Sequence, residues 1–113
     1  MEAISIEGAE HYSWGEGCSG WHLMKSERMS VIQEMVPPGK SEVRHFHNHA
    51  EQFFFMLSGV ATVEANGKII VLRPGQGVHI PSRVPHQFKN DSSGKVEFLV
   101  ISAPPSHGDR ENL

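Results

Sequence analysis

Gly39-Lys-Ser-Glu-Val-Arg-His45-Phe-His47-Asn-His49-Ala-Glu51-Gln52-Phe-Phe-Phe-Met-Leu-Ser-Gly59 is the stretch on which the reading of this chain turns. Three of the eight histidines fall here at every second position. On an extended strand, residues i, i+2 and i+4 share a face. His45, His47 and His49 can therefore project one way, and Phe46 and Asn48 the other. Neutral imidazoles converging on one side make a transition-metal site, each nitrogen supplying a lone pair at about 2.0–2.1 Å. Taken alone, the run also reads as a solvated, histidine-rich strand.

A second stretch changes the balance: Gly75-Gln-Gly77-Val-His79-Ile-Pro81-Ser-Arg83-Val-Pro85-His86-Gln-Phe88-Lys-Asn90. A Pro-bounded strand is followed by one His that opens another extended run. Around these two stretches the chain reads as short strands punctuated by turn residues. Residues 28–36 have the length and β-branched content of a strand, stopped by Pro37-Pro38-Gly39. Residues 43–49, 52–57, 60–65, 68–72, 77–80, 85–90 and 95–102 follow. Asn66-Gly67 between apolar runs predicts a hairpin, because a type I′ turn needs positive φ at both positions. With no convincing helical period, the pattern predicts an all-β, antiparallel sandwich or barrel.

The chain has 113 residues and reads as a single domain, 1–113, able to bury a core. Residues 1–25 form an N-terminal arm with room for one short strand, which Trp14, Trp21 and Leu23 can anchor. Residues 104–113, opened by Pro104-Pro105, make a polar C-terminal tail that either frays or folds back. Net charge is −3 and charged residues are dispersed, so neither a nucleic acid nor a membrane partner is indicated. No apolar run approaches the ~20 residues of a membrane span. The start of the chain lacks the basic and apolar regions of a signal peptide. A single Cys18 cannot form an internal disulfide and reads as a small packed residue. The expected location is cytoplasmic.

The two stretches together resemble the paired motifs of the cupin family. The family's first motif is G(X)5HXH(X)3-4E(X)6G. The chain gives Gly39, five residues, His45-x-His47, four residues, Gln52, six residues and Gly59. The second is G(X)5PXG(X)2H(X)3N, matched by Gly75, Pro81-x-Arg83, His86 and Asn90 at the same spacings. Two positions depart: Gln52 stands where the family has a Glu ligand, and Arg83 where it has Gly. The resemblance implies a small jelly-roll barrel, the double-stranded β-helix, with a metal inside. It assigns His45, His47 and His86 as ligands, with Gln52 in the fourth place.

Gln52 is either a ligand through its amide oxygen or a neighbour that orients a ligand or bound water. His49 and Glu51 are the nearby substitutes, and Glu51 is read as the acid near the site. Strand parity puts Gln52, Phe54 and Met56 on one face and Glu51 on the other. Phe54, Met56 and Phe88 then line an apolar pocket beside the metal, or else simply pack the core. His79 faces the pocket or the solvent. The cofactor expected is one divalent transition metal per chain, Fe, Mn, Ni or Zn.

The function expected is that of a metal-dependent enzyme on a small-molecule ligand. The sequence leans towards oxygenase-type chemistry, a dioxygenase, with an isomerase also within the family's range. No residue is singled out as catalytic beyond the metal set. The alternative is a non-catalytic module that binds or senses a small ligand. Phe53, Phe55 and Leu57 lie opposite Phe54 and Met56, and Phe46 lies opposite the His face. This strand is apolar on both sides, so its outer face needs cover, from the arm or from a second subunit. A homodimer through at least one of Phe46, Phe53 and Phe55 is the expectation.

Overall fold

The computed structural model describes residues 1–113 and contains only strands and their connections. In chain order they are β1 (Glu10–Trp14), β2 (Cys18–Lys25), β3 (Ser30–Val36), β4 (His45–Phe46), β5 (Glu51–Ser58) and β6 (Ala61–Ala65). Then come β7 (Lys68–Leu72), β8 (Gly77–Ile80), β9 (His86–Lys89), β10 (Val96–Ala103) and β11 (Glu111–Asn112). They form two antiparallel sheets, ordered β1-β2-β3-β10-β5-β8 and β11-β4-β9-β6-β7. The all-β jelly roll read from the sequence is the fold observed.

Alternation builds the core. Along β10, Val96, Phe98, Val100 and Ser102 are buried, while Leu99 and Ile101 between them are half-exposed. β5 buries Gln52, Phe54 and Met56, the face that parity predicts. Between the sheets Phe88 stacks on Phe98 with ring centroids 4.0 Å apart, and Phe54 closes the aromatic cluster at 5.7 Å from Phe88. Burial of such side chains, at about 25 cal/mol per Å² of apolar surface, is the main force holding the two sheets together.

Both ends of the chain are more ordered than the sequence indicates. The arm holds two strands rather than one. Gly15 and Gly17, at φ +53° and +75°, turn β1 back on β2, and β2 pairs with β3. A Gly- and Ser-rich segment reads as irregular from composition, yet its glycines serve the turn. The tail folds back, with β11 pairing β4 so that Glu111 lies opposite Phe46.

Two left-handed positions bear on the motifs. Asn66 and Gly67 have φ +53° and +85°, the backbone a type I′ hairpin requires. Arg83, where the resembled motif has Gly, is also left-handed at φ +68°, and its N–H donates to the His47 carbonyl at 2.7 Å. The turn keeps its shape without Gly because that hydrogen bond holds it, against a cost of about 1 kcal/mol.

Gly59 ends β5 at φ +81°, and a Cβ there would lie 2.7 Å from Val96 Cγ1 and 2.8 Å from the Lys95 carbonyl oxygen. Both the backbone conformation and the close approach of β10 exclude a side chain. Gly59→Ala is expected to destabilise the chain by about 2–4 kcal/mol, read as a lower urea midpoint with unchanged slope. A loss below ~0.5 kcal/mol would show that the strand end can shift to accept the methyl.

Candidate metal centre and its cavity

The three motif histidines meet at one open end of the barrel. His45 on β4 and His86 on β9 are opposite each other in register, and His47 follows two residues later on the same face. Their candidate ligand nitrogens all lie within 4.8 Å of one another, and all three residues are buried. Each ring is held by its other nitrogen. His45 Nδ1 is 2.7 Å from the Val43 carbonyl, His86 Nδ1 is 2.9 Å from the Val84 carbonyl, and His47 Nδ1 is 2.7 Å from the Asp109 carbonyl. A carbonyl oxygen can only accept, so each Nδ1 carries the proton. Burial holds His45 neutral, pushing its pKa down to about 3, and lowers His47 and His86 for the same reason. Each Nε2 is then a bare lone pair.

Those lone pairs have no hydrogen-bond donor to meet. His47 Nε2 is buried without a partner. His86 Nε2 faces Gln52 Oε1 at 3.2 Å, while the Gln52 amide nitrogen donates to Ser102 Oγ at 3.0 Å. With Nδ1 holding the only proton of a neutral ring, that contact brings two lone pairs together. A cation between the two acceptors satisfies such an arrangement. The donor set therefore fits a divalent transition metal.

The site's remaining geometry comes from the tail. Besides offering its carbonyl to His47, Asp109 uses its carboxylate to accept the N–H groups of Asn48, His49 and Ala50 at 3.1, 2.9 and 2.9 Å. These three bonds fix the turn between the histidine pair and β5, and hold the Asp109 carboxyl below its ordinary pKa.

Other sequence candidates lie elsewhere. His49 and Glu51 are exposed, and Glu51 instead accepts from His79 at 2.7 Å on the outside of the six-stranded sheet. His79 is thus on the solvent side. Met56 and Phe88 share the face of the site but are sealed in the core. Parity sorts residues by face and not by depth along the barrel. Each sits one step of the alternation further from the open end, past Phe54 and His86 respectively. Only Phe54 of the predicted pocket set reaches the cavity.

That cavity, about 280 Å³, is more polar than expected. Ile32, Phe54 and Val100 form an apolar side, with His45, His47 and Gln52 at the metal end. Tyr12, Trp14, Glu34 and Glu42 line it as well, together with Ser106, His107, Gly108 and Arg110 of the tail. Tyr12 Oη donates to Glu34 Oε2 at 2.9 Å. Glu42 Oε1 accepts the Phe88 N–H at 3.0 Å, and its other oxygen is 4.0 Å from His45 Nε2. Burial raises Glu34 to about 7 and Glu42 to about 8. Glu51 is therefore not the acid near the site. The only sequence signal for Glu34 was a carboxylate in register with Ile32 and Val36 on β3. Nothing in the sequence placed Tyr12 or the tail here.

A sequence profile of the cupin domain matches residues 32–102. An uncharacterized protein of Methanocaldococcus jannaschii, MJ1618, is 27% identical over 93 residues, covering 81% of this chain and 74% of that protein. The quercetin 2,3-dioxygenase of Bacillus subtilis is 32% identical over 62 residues, which is 55% of this chain but only 18% of that enzyme. Among solved structures, TT1209 of Thermus thermophilus superposes with a TM-score of 0.81 at 26% identity, covering 93% of this chain and 99% of that one. With the paired motifs in place on a jelly roll, and the domain profile spanning well over half its length, the chain belongs to the cupin family.

Proposed function

We propose that the chain is a metal-dependent enzyme that holds one divalent transition metal on His45, His47 and His86 and works on a small molecule in the adjoining cavity. The observation that carries this is the buried, partnerless Nε2 of His47, set among two further imidazoles whose Nδ1 protons are already engaged. Three neutral nitrogens leave coordination positions free, the arrangement of a catalytic rather than a structural metal. Gln52, through Oε1, stands where a fourth ligand would. A neutral set keeps the full +2 charge on the ion, which would act as a strong Lewis acid on a substrate oxygen.

Two chemistries have support. Oxygenase-type reaction is supported by the similarity to the Bacillus quercetin 2,3-dioxygenase. Non-redox chemistry is supported by the two partly buried carboxyls and the phenol that line the same cavity, groups suited to moving protons. The polar wall belongs to this chain's own site, whereas the similarity covers a small part of the relative, so the second is preferred. Oxygen uptake with a panel of diketones and catechols separates them. A purified chain with neither metal nor turnover would instead be a ligand-binding module.

We also propose a two-fold homodimer. The β1-β2 hairpin extends the edge of the six-stranded sheet instead of covering it. Val31, Met35, Phe55, Leu99 and Ile101 stay half-exposed on its outer face, beside Phe53 at 38% and Leu57 at 40% exposure. Phe46 lies on the other sheet, so the Phe53 and Phe55 side is the better candidate.

His47→Ala and His86→Ala are each expected to lose stoichiometric metal while the sheets stay folded, since the apolar core supplies most of the stability. Elemental analysis showing one metal per chain in either variant would overturn the ligand set. Gln52→Glu should tighten metal at neutral pH by about tenfold, because it adds a charged oxygen; unchanged affinity would place Gln52 outside the ion's reach.

Acid should destabilise the metal-free chain. As pH falls through about 6.5 the unfolded chain protonates histidines whose pKa the fold lowers, His45 to about 3 and His22, His47 and His86 in the same direction, each worth up to about 1.4 kcal/mol per pH unit while it stays neutral in the fold. Glu34 and Glu42 act the other way, since the fold holds them protonated up to about 7 and 8. The lowered histidines outnumber the raised carboxyls, so urea unfolding should show stability falling towards acid. Stability that rises towards acid would show that the carboxyls dominate. For the dimer, light scattering is expected to give twice 12.6 kDa, and Phe53→Glu to give 12.6 kDa; a monomer from the unmodified chain at micromolar concentration would refute it.

A further inference from the structure

Gly20 sits in the middle of β2, where glycine weakens a strand. The register explains it. Tyr12, Gly20 and Glu34 lie side by side across β1, β2 and β3, all facing the barrel interior. A Cβ on Gly20 would fall on the Tyr12 ring. The missing side chain lets the phenol lie flat across β2 and bring its hydroxyl 2.9 Å from Glu34 Oε2. Three strands thus cooperate to place one hydroxyl–carboxylate pair, and both residues line the cavity onto which His45 and His47 open.

Three further observations describe what the cavity accepts. The Trp14 indole N–H is buried with no partner, so a ligand there offers it an acceptor oxygen. The metal end takes oxygen as well. Between them Ile32, Phe54 and Val100 give a short apolar surface for carbon atoms. A volume of about 280 Å³ limits the ligand to a small molecule. Adjacent oxygens on a short carbon chain satisfy all of these.

We propose that Glu34, positioned by Tyr12 across Gly20, is the catalytic base that removes and returns a proton on a carbon next to the carbonyl of a small hydroxycarbonyl substrate. This rests on the metal-dependent reading above and specifies its reaction. In the step, a Glu34 oxygen takes the hydrogen of the C–H bond. The bonding pair forms a carbon–carbon double bond, and the carbonyl pair moves onto its oxygen. The Glu34 O–H then gives the proton back to carbon as the carbonyl reforms. No oxidant or reductant is consumed. In the metal-free chain burial raises Glu34 to about 7, which brings its accepting and donating forms close in energy near neutrality. Glu42 and Arg110 face the same space, and Arg110 partly offsets the rise. Burial pushes the Tyr12 phenol up, which keeps it a hydrogen-bond donor to the carboxylate.

The test uses the metal-loaded chain under nitrogen in deuterated water. Dihydroxyacetone, glyceraldehyde and four- to six-carbon ketoses are the probes, and NMR reads loss of the C–H signal. Exchange should be catalysed for at least one probe. Glu34→Gln should lower its rate about 100-fold or more, with metal content and probe affinity within threefold of the unmodified chain. Tyr12→Phe should slow exchange about tenfold and move the acid limb of its pH profile upward, because the lost hydrogen bond had favoured the carboxylate. Gly20→Ala should reproduce the Tyr12→Phe profile if it folds. A metal-loaded chain that exchanges no probe, or a Glu34→Gln chain that exchanges as fast, overturns the proposal while the metal reading stands. A Glu34→Gln chain that loses metal in step with rate also overturns it. Exchange that needs Glu34 but not metal would remove the metal reading and keep this one.

Discussion

A hydrogen bond from each imidazole Nδ1 to a backbone carbonyl is the constraint from which the rest of the site follows. It settles which nitrogen is bare, and therefore that three lone pairs point to one place. Two of the three carbonyls, Val43 and Val84, lie two residues before their histidines, so local strand geometry supplies them. The third belongs to Asp109, brought from 62 residues away. The barrel's sheets must be closed and the tail docked before all three rings are fixed. Core packing, which sets β5 of one sheet against the β4–β9 pair of the other, is what makes the metal geometry possible.

The polar wall works against the same core. Two carboxyls raised to about 7 and 8 carry a desolvation cost, since burial disfavours the ion of each. A fold selected for stability alone would place apolar side chains there. Perturbed carboxyls beside a converging set of lone pairs are what a functional cavity looks like in energetic terms. Neither feature helps the chain fold, and both make sense once an oxygen-bearing ligand and a cation are present.

Much of this was legible in the sequence, for definable reasons. Alternation along 52–57 and the Asn66-Gly67 turn are local signals, and both appear in the structure as read. The pairing of His45 with His86 was legible only through the resemblance, because register across 41 residues has no local cause. Depth misled the pocket assignment: Met56 and Phe88 have the right parity but sit too far inside. Tyr12 and Arg110 left no trace, and Glu34 only its parity with Ile32 and Val36, since what unites them is a three-strand register and a folded tail. Arg83 shows the converse case, a departure from a motif that leaves the backbone unchanged.

The Asp109 clasp ties the centre to a segment that folding reaches late. Closing a loop of some sixty residues is entropically slow compared with forming a hairpin, so the tail docks on a barrel already formed. Undocking would release the His47 ring and, in the same motion, the three amide hydrogens that shape the neighbouring turn. Exchange of an ion held there would then be coupled to opening of the tail. The lifetime of the metal would be set by the peptide segment that covers it, more than by the strength of the nitrogen–metal bonds.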